Sequence, residues 1–189
     1  MKVLIIDNHT KHLGKLRDLL VNYEIEITDF ERINSDDSHD LAILTGGSFL
    51  SIENAPEIFK DEINFIRNTT KPIIGICQGA QLIAYSYGSI LEFIKRRTKG
   101  IKEIELINNT NLDIDTKYFY VYESHQWAIK NLGKDLEGLA KSKNGFEIVK
   151  HKSKKIYGLQ FHPEMAINKS LGDEIFNLCI RNVLSNHLN

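Results

Sequence analysis

The chain has 189 residues, of which 42% are hydrophobic, so one compact domain with a sizeable core is expected over residues 1–189. The formal net charge is −1 and the basic residues are mostly scattered, which argues against a nucleic-acid-binding surface. Two basic runs, residues 95–99 and 150–155, are expected to be solvated loops. The alternative is that one of them meets an acidic partner surface.

Strands and helices alternate through the first half of the chain. Residues 3–6, 24–28 and 41–45 are apolar or alternating runs typical of strands. Apolar residues recur at helical spacing over residues 13–20, and a second helix is predicted over residues 58–66. This order predicts an α/β fold, a three-layer sandwich around a mostly parallel, flavodoxin-like sheet.

A glycine pair, Gly46 and Gly47, closes the third predicted strand. An unhindered backbone there can turn its N–H groups toward a substrate oxygen, although such a pair by itself indicates a loop as readily as a site. The pair lacks the Lys-Ser/Thr of a P-loop, so no nucleotide-binding loop is predicted.

A strand-to-helix switch with a cysteine at its centre follows in residues 71–88. Gly75 and Gly79 flank Cys77 and remove Cβ atoms where the chain must turn sharply, as in a nucleophile elbow. Such an elbow holds its thiol at a helix N-terminus, which favours the thiolate. Cys77 is therefore a candidate nucleophile, and the alternative is a buried structural cysteine.

The other cysteine, Cys179, falls on the apolar face of a final helix predicted over residues 171–184. With Cys77 at a predicted active-site turn, a structural disulfide is not expected and a reducing cytoplasm is favoured. The apolar N-terminal stretch is too short for a signal peptide or a membrane span, so a soluble protein without a membrane partner is expected. No metal-ligand spacing is visible.

Short strands replace the helical pattern after residue 101. Residues 103–107, 117–122, 136–142 and 146–151 are separated by Asn-, Asp- and Gly-bearing turns. They predict a small antiparallel addition to the sheet.

His162 and Glu164 supply the base and the orienting carboxylate that a thiol nucleophile needs. They stand two residues apart at the end of a strand-like run, so in extended chain both side chains lean to the same side. The carboxylate would fix the imidazole tautomer and stabilise the imidazolium. Cys77, His162 and Glu164 are therefore predicted to form a catalytic triad.

Two motifs together carry a resemblance to a known family. Gly-x-Cys-x-Gly-x-Gln at residues 75–81 and Phe-His-Pro-Glu at residues 161–164 resemble the class I, triad-type glutamine amidotransferases. The resemblance covers nearly the whole chain. It implies hydrolysis of L-glutamine to glutamate and ammonia through a thioester on Cys77, with no metal or organic cofactor.

The resemblance also implies roles around the triad. The backbone N–H groups of Gly47 and Gln78 match the family's oxyanion hole. Gly46 in the same loop and Gln81 on the elbow helix match residues that help to hold the substrate. The family commonly has proline where this chain has Ser48, a difference that leaves the oxyanion donor in place.

Ser124 and His125 resemble the Ser-His element with which GMP-synthase-type glutaminases hold the two ends of glutamine. Those relatives usually carry Asp two places after the histidine, where this chain has Trp127. The other interpretation is that His125 and Trp127 pack on the sheet and touch no ligand. Met165 and Ala166 after the triad glutamate also resemble separate GMP synthase glutaminase subunits.

The resemblance implies a partner, because ammonia released to water is protonated and lost. The expected partner is an ATP-dependent synthetase subunit, most similar to the ATP-pyrophosphatase subunit of GMP synthase, which converts XMP to GMP. The alternatives are a glutaminase of another synthetase, such as anthranilate or aminodeoxychorismate synthase, and a stand-alone γ-glutamyl cysteine hydrolase. A non-catalytic flavodoxin-like module is a further alternative.

Overall fold

The computed structural model describes residues 1–33, 38–47, 51–107, 112 and 114–185. Its strands, β1 to β9, are Lys2–Asp7, Glu24–Asp29, Leu41–Leu44, Ile73–Ile76, Ile90–Leu106, Tyr118–Asn131, Leu136–Lys141, Phe146–His151 and Ile156–Leu159. Its α-helices, α1 to α4, are Leu13–Leu19, Lys60–Asn68, Gln78–Ser86 and Gly172–Leu184. Among the helices of these ranges, none has the length and apolar character needed to cross a membrane.

Five strands form the parallel half of one mixed sheet, in the order β2-β1-β3-β4-β9. This is the 2-1-3-4-5 order of flavodoxin-like sheets when the parallel strands are counted alone. Every residue of β3, β4 and β9 is buried, as expected for parallel strands covered on both faces. The α/β prediction and the parallel strands of the first half are confirmed.

Helices cover the two faces of the parallel strands. Val3 and Ile5 of β1 belong to the apolar core that contains the buried residues of α1 and α4. Leu4 and Ile6 belong to a second core with the buried residues of α2 and α3. Alternate residues of this single strand therefore belong to two different cores, one on each side of the sheet.

The antiparallel half is larger than the small addition predicted from the sequence. β8 joins it to β9, and the order continues β8-β6-β5-β7, with β7 also pairing back to β8. These four strands therefore close into a ring, which leaves the sheet with a barrel-like end. β5 alone has 17 residues and pairs along most of its length with β6.

The basic run at residues 95–99 lies within β5, so its prediction as a loop was wrong. The run has no alternation of apolar and polar residues, because Lys95, Arg96 and Arg97 are all polar and none is buried. The pairing of β5 with β6 is irregular between Phe93 and Thr98, which further hides the strand from a pattern of period two. The second basic run is part strand, since β8 ends at His151.

The turn from β4 into α3 is held by close contact with the end of β3. A Cβ on Gly79 would lie 2.4 Å from the carbonyl oxygen of Leu44, and a Cβ on Gly75 would lie 2.5 Å from the backbone of Gly79. The Gly79 N–H donates to the Thr45 carbonyl oxygen at 3.1 Å. Glycine at both positions is therefore required for α3 to start against the sheet.

We predict opposite effects for two glycine-to-alanine substitutions in helices. Gly79→Ala should lower the free energy of unfolding by about 1–3 kcal/mol, because its Cβ would meet backbone that cannot move alone. Gly14→Ala in α1 is the matched control, since a Cβ there has no neighbour within 4 Å, and it should be neutral or raise stability by about 0.5–1 kcal/mol. Chemical denaturation of the two variants measures both changes, and equal effects would contradict the packing argument.

Candidate active site

Cys77 stands between β4 and α3 in an unusual backbone conformation, with φ 50° and ψ −101°. A positive φ is rare for a residue with a Cβ and is found in strained strand-to-helix elbows. The Cys77 N–H donates to the Leu159 carbonyl oxygen of β9 at 2.7 Å, which holds the elbow to the sheet. The thiol is 4% exposed and is not part of a disulfide. The predicted elbow is therefore present in the fold.

His162 and Glu164 form a buried hydrogen-bonded pair beside Cys77. His162 Nδ1 and Glu164 Oε1 are 2.7 Å apart, and the His162 N–H donates to the Tyr122 carbonyl oxygen at 2.8 Å. A carboxylate oxygen accepts hydrogen bonds, so Nδ1 is the donor of this pair and Nε2 is the ring nitrogen left for proton transfer. The three predicted triad side chains are thus brought together by the ends of β4 and β9.

The pKa of His162 is raised to about 10. Burial is the largest influence and lowers the pKa, but the neighbouring Cys77 thiolate and the hydrogen-bonded Glu164 together outweigh it. An imidazolium stabilised by a neighbouring thiolate is the pairing expected of a cysteine nucleophile and its base.

A cavity of about 180 Å³ opens beside the thiol. It is smaller than the roughly 300–1,000 Å³ clefts that hold drug-sized ligands, so its size suits a small metabolite. Its lining contains six of the predicted site residues, namely Gly47, Cys77, Gln78, Gln81, Ser124 and His125. These come from the first half of the chain and from β6, so the fold assembles them from distant segments.

The glycine loop packs tightly against the elbow. A Cβ on Gly47 would collide with the Gln78 side chain and would lie 2.5 Å from the Asn8 carbonyl oxygen. A Cβ on Gly46 would lie 3.1 Å from His162 Cε1 and 3.4 Å from Cys77 Cβ. Gly47 therefore lies next to Gln78, the first residue of α3, where backbone N–H groups have no intrahelical acceptor. Ser48 lies outside the described residues.

A buried polar network behind this loop was not predicted from the sequence. Asn8 Nδ2 donates to the Thr45 carbonyl oxygen at 3.1 Å and to Glu62 Oε1 at 3.0 Å. The Asn8 N–H donates to Thr45 Oγ1 at 2.8 Å. The Thr45 carbonyl oxygen also accepts from the Gly79 N–H, so Thr45 connects this network to both the glycine loop and the elbow.

Two glutamines connect the elbow helix to β6 and β9. Gln81 Nε2 donates to the Trp127 carbonyl oxygen at 2.9 Å and to Gln160 Oε1 at 3.2 Å. The fully buried Gln160 in turn directs its Nε2 toward Cys77 Sγ at 3.9 Å. Gln160 directly precedes the Phe-His-Pro-Glu motif, and only the fold shows that it faces the thiol.

Ser124 and His125 point in different directions on β6. Arg97 of β5 donates to Ser124 Oγ at 3.2 Å, so a cation from the basic run reaches the cavity. The His125 side chain is buried, with Nδ1 2.8 Å from the Trp127 carbonyl oxygen. The Trp127 ring packs edge-to-face on Phe93. His125 and Trp127 therefore pack within the sheet and also line the cavity, and the role of His125 in holding glutamine stays a prediction.

Comparison with known proteins identifies the family. The family model described as "Glutamine amidotransferase class-I" matches residues 4–182. The chain belongs to this family. The amidotransferase resembles a separate glutamine-hydrolyzing GMP synthase subunit of Methanocaldococcus jannaschii, with 34% identity over 94% of this chain and 95% of that one.

Two further relatives differ in how much of their own length this chain matches. GMP synthase of Brachyspira hyodysenteriae is 35% identical over 72% of this chain, but the matched part is only 27% of that protein. Among solved structures, a Thermoplasma acidophilum protein described as one subunit of GMP synthase superposes with a TM-score of 0.85 and 26% identity, covering 97% of this chain and 94% of that one. The resemblance predicted from residues 75–81 and 161–164 is confirmed at the level of the family.

We predict that Glu62 makes the stability of the amidotransferase depend on pH. Burial raises the pKa of Glu62 to about 8, against the smaller opposing effect of the hydrogen bond from Asn8. The folded protein therefore holds this proton more tightly than the unfolded chain, and ionisation opposes folding as the pH rises from about 4.5 through about 8. Glu62→Gln keeps an oxygen for Asn8 but cannot ionise.

The variant should differ little from the wild type at pH 5 and should be more stable at pH 8.5, by up to roughly 4–5 kcal/mol. Chemical denaturation at the two pH values measures the difference. Glu57→Gln, at an exposed position just before α2, should show no such dependence. A stability difference that is the same at both pH values would show that Glu62 is not the titrating group.

Proposed function

We propose that the chain, as one amidotransferase domain over residues 1–189, is the glutaminase subunit of a GMP synthase. The observation that carries the glutaminase reaction is the strained Cys77 elbow, which lies beside His162 and faces a small cavity. The GMP synthase assignment rests on the Methanocaldococcus jannaschii relative, which is named as one subunit of that enzyme and which this chain matches almost throughout its length.

Cys77 acts as the nucleophile in this scheme. Its thiolate attacks the side-chain amide carbon of glutamine, and the N–H groups of Gly47 and Gln78 stabilise the oxyanion. The His162 imidazolium donates a proton to the departing ammonia, leaving a γ-glutamyl thioester on Cys77. His162 then takes a proton from water, which hydrolyses the thioester to glutamate. Glu164 keeps the imidazole oriented in both halves.

The cavity walls supply the contacts for the rest of the substrate. Ser124 and the backbone of its segment are available to the polar ends of glutamine, and Arg97 provides a positive charge for the α-carboxylate. Gly46 leaves room where a side chain would press on His162 and Cys77. Gln81 holds the Trp127 backbone, so it supports the substrate wall from behind.

The name of the Methanocaldococcus jannaschii relative implies a second polypeptide, because it describes one part of a multi-subunit enzyme. We propose an ATP-dependent synthetase, the ATP-pyrophosphatase subunit of GMP synthase, as the partner that receives ammonia. A reducing compartment keeps a nucleophilic thiol from oxidation, which supports a cytoplasmic location.

We predict that the two cysteines differ sharply in reactivity. A glutamine-analogue electrophile should label Cys77 and leave Cys179 unmodified, because burial in α4 raises the pKa of the Cys179 thiol. Cys77→Ala should abolish glutamine hydrolysis while circular dichroism stays native. Peptide mass spectrometry locates the label, with Cys179→Ala as the matched control that keeps both label and activity. Activity that survives Cys77→Ala would refute the nucleophile assignment.

Coupling to the partner should appear as a faster rate of glutamine hydrolysis. Glutamine hydrolysis should rise at least about tenfold, equivalent to about 1.4 kcal/mol of barrier, when the ATP-pyrophosphatase subunit from the same cell, ATP and XMP are added. Coupled glutamate and AMP assays follow both half-reactions. Full glutaminase activity of the chain by itself, unchanged by that subunit, would instead favour a stand-alone γ-glutamyl hydrolase.

A further inference from the structure

Three ionisable side chains that the glutaminase scheme does not use as acids or bases converge where β6 and β8 approach each other. We call Glu123, His125 and Glu147 the Glu-His-Glu cluster. One potential ligand atom from each lies within 4.8 Å of the others, and each residue is at most 4% exposed. Glu123 and His125 stand two residues apart on β6, so both side chains leave the strand on the same face.

The cluster has more acceptors than donors. Among the described residues, both oxygens of Glu123, Oε2 of Glu147 and Nε2 of His125 have no hydrogen-bond partner. The remaining oxygen, Glu147 Oε1, accepts from Ser142 Oγ at 2.7 Å. Buried carboxylates without donors are unfavourable unless a cation or protons neutralise them.

The histidine is oriented as a ligand. Its Nδ1 is 2.8 Å from the Trp127 carbonyl oxygen, which can only accept, so Nδ1 carries a proton. In the neutral imidazole Nε2 is then a lone pair, and it lies 3.3 Å from Glu123 Oε2 without hydrogen-bond geometry. A metal-bound histidine is typically held in this way, with its other nitrogen donating to a backbone carbonyl.

We propose that the Glu-His-Glu cluster binds one divalent transition-metal ion, with Zn²⁺ as the best match. Two carboxylates balance a charge of +2, and an imidazole nitrogen with carboxylate oxygens is a ligand set that Zn²⁺ accepts. Glu123 also lines a wide groove of about 950 Å³ beside β5, which provides a route for the ion. The ion would connect β6 to β8 and fix the segment that carries Ser124.

The test uses Cys77→Ser as the parent protein, so that the thiolate cannot bind the metal. After treatment with a chelator, calorimetry with Zn²⁺ should show one site per chain, and Glu123→Gln and Glu147→Gln should each weaken it at least about tenfold. Glu62→Gln, which changes another buried carboxylate outside the cluster, should keep the site. At a hundredfold excess of Zn²⁺ over Kd, the Tm of the parent should rise by roughly 5–10 °C.

Thermal unfolding with and without metal provides a second measurement. In chelator, Glu147→Gln should be at least as stable as the parent, because the amide replaces a carboxyl whose charged form burial disfavours. With Zn²⁺ the order should reverse, which a purely structural carboxylate would not produce. Absence of one-site binding by Zn²⁺ at concentrations up to about 1 mM, the weak end of the range for specific divalent-ion sites, would overturn the proposal. Equal affinity in the parent and in both cluster variants would also overturn it.

Discussion

The site depends on the close contact between the start of α3 and the ends of β3 and β4. With Gly79 against the Leu44 carbonyl oxygen, no side chain separates helix from sheet, and the chain must pass through a positive φ at Cys77. Such a conformation costs on the order of 1–3 kcal/mol, so neighbouring contacts must hold it. The hydrogen bonds from Cys77 to Leu159 and from Gly79 to Thr45 do so, and both tie the elbow to the parallel sheet.

Those parallel strands could be predicted because burial on both faces leaves a continuous apolar run in the sequence. Only the end of β5, within the predicted strand 103–107, could be predicted from such a pattern. The charged residues at 95–97 break any apolar pattern, and only pairing with β6 makes that part of β5 a strand. Strand identity there is decided by a partner about 30 residues further on, information that no local pattern contains. The full extent of the antiparallel half could not be predicted for the same reason, because its strands depend on pairing between distant segments.

The candidate site likewise contains residues that could be predicted from the sequence and residues that could not. Cys77, His162 and Glu164 lie in short motifs, so the sequence alone predicts that they lie together, as they do in the structure. Residues that support them, such as Asn8 and Gln160, are set by contacts between distant segments. Gln160 illustrates the point, because its position one residue outside a motif gives no sign that its amide faces the thiol.

Ionisable groups outside the predicted triad also interact with Cys77. The pKa of Glu147 is raised by burial, by Glu123 and, to a smaller extent, by the Cys77 thiolate, which also contributes to the raised pKa of His162. A thiolate is stabilised by the imidazolium and opposed by each ionised carboxylate in the same low-dielectric region. The charge state of the carboxylates between β6 and β8 is therefore part of the electrostatic environment of the proposed nucleophile, although none of them belongs to the proposed triad.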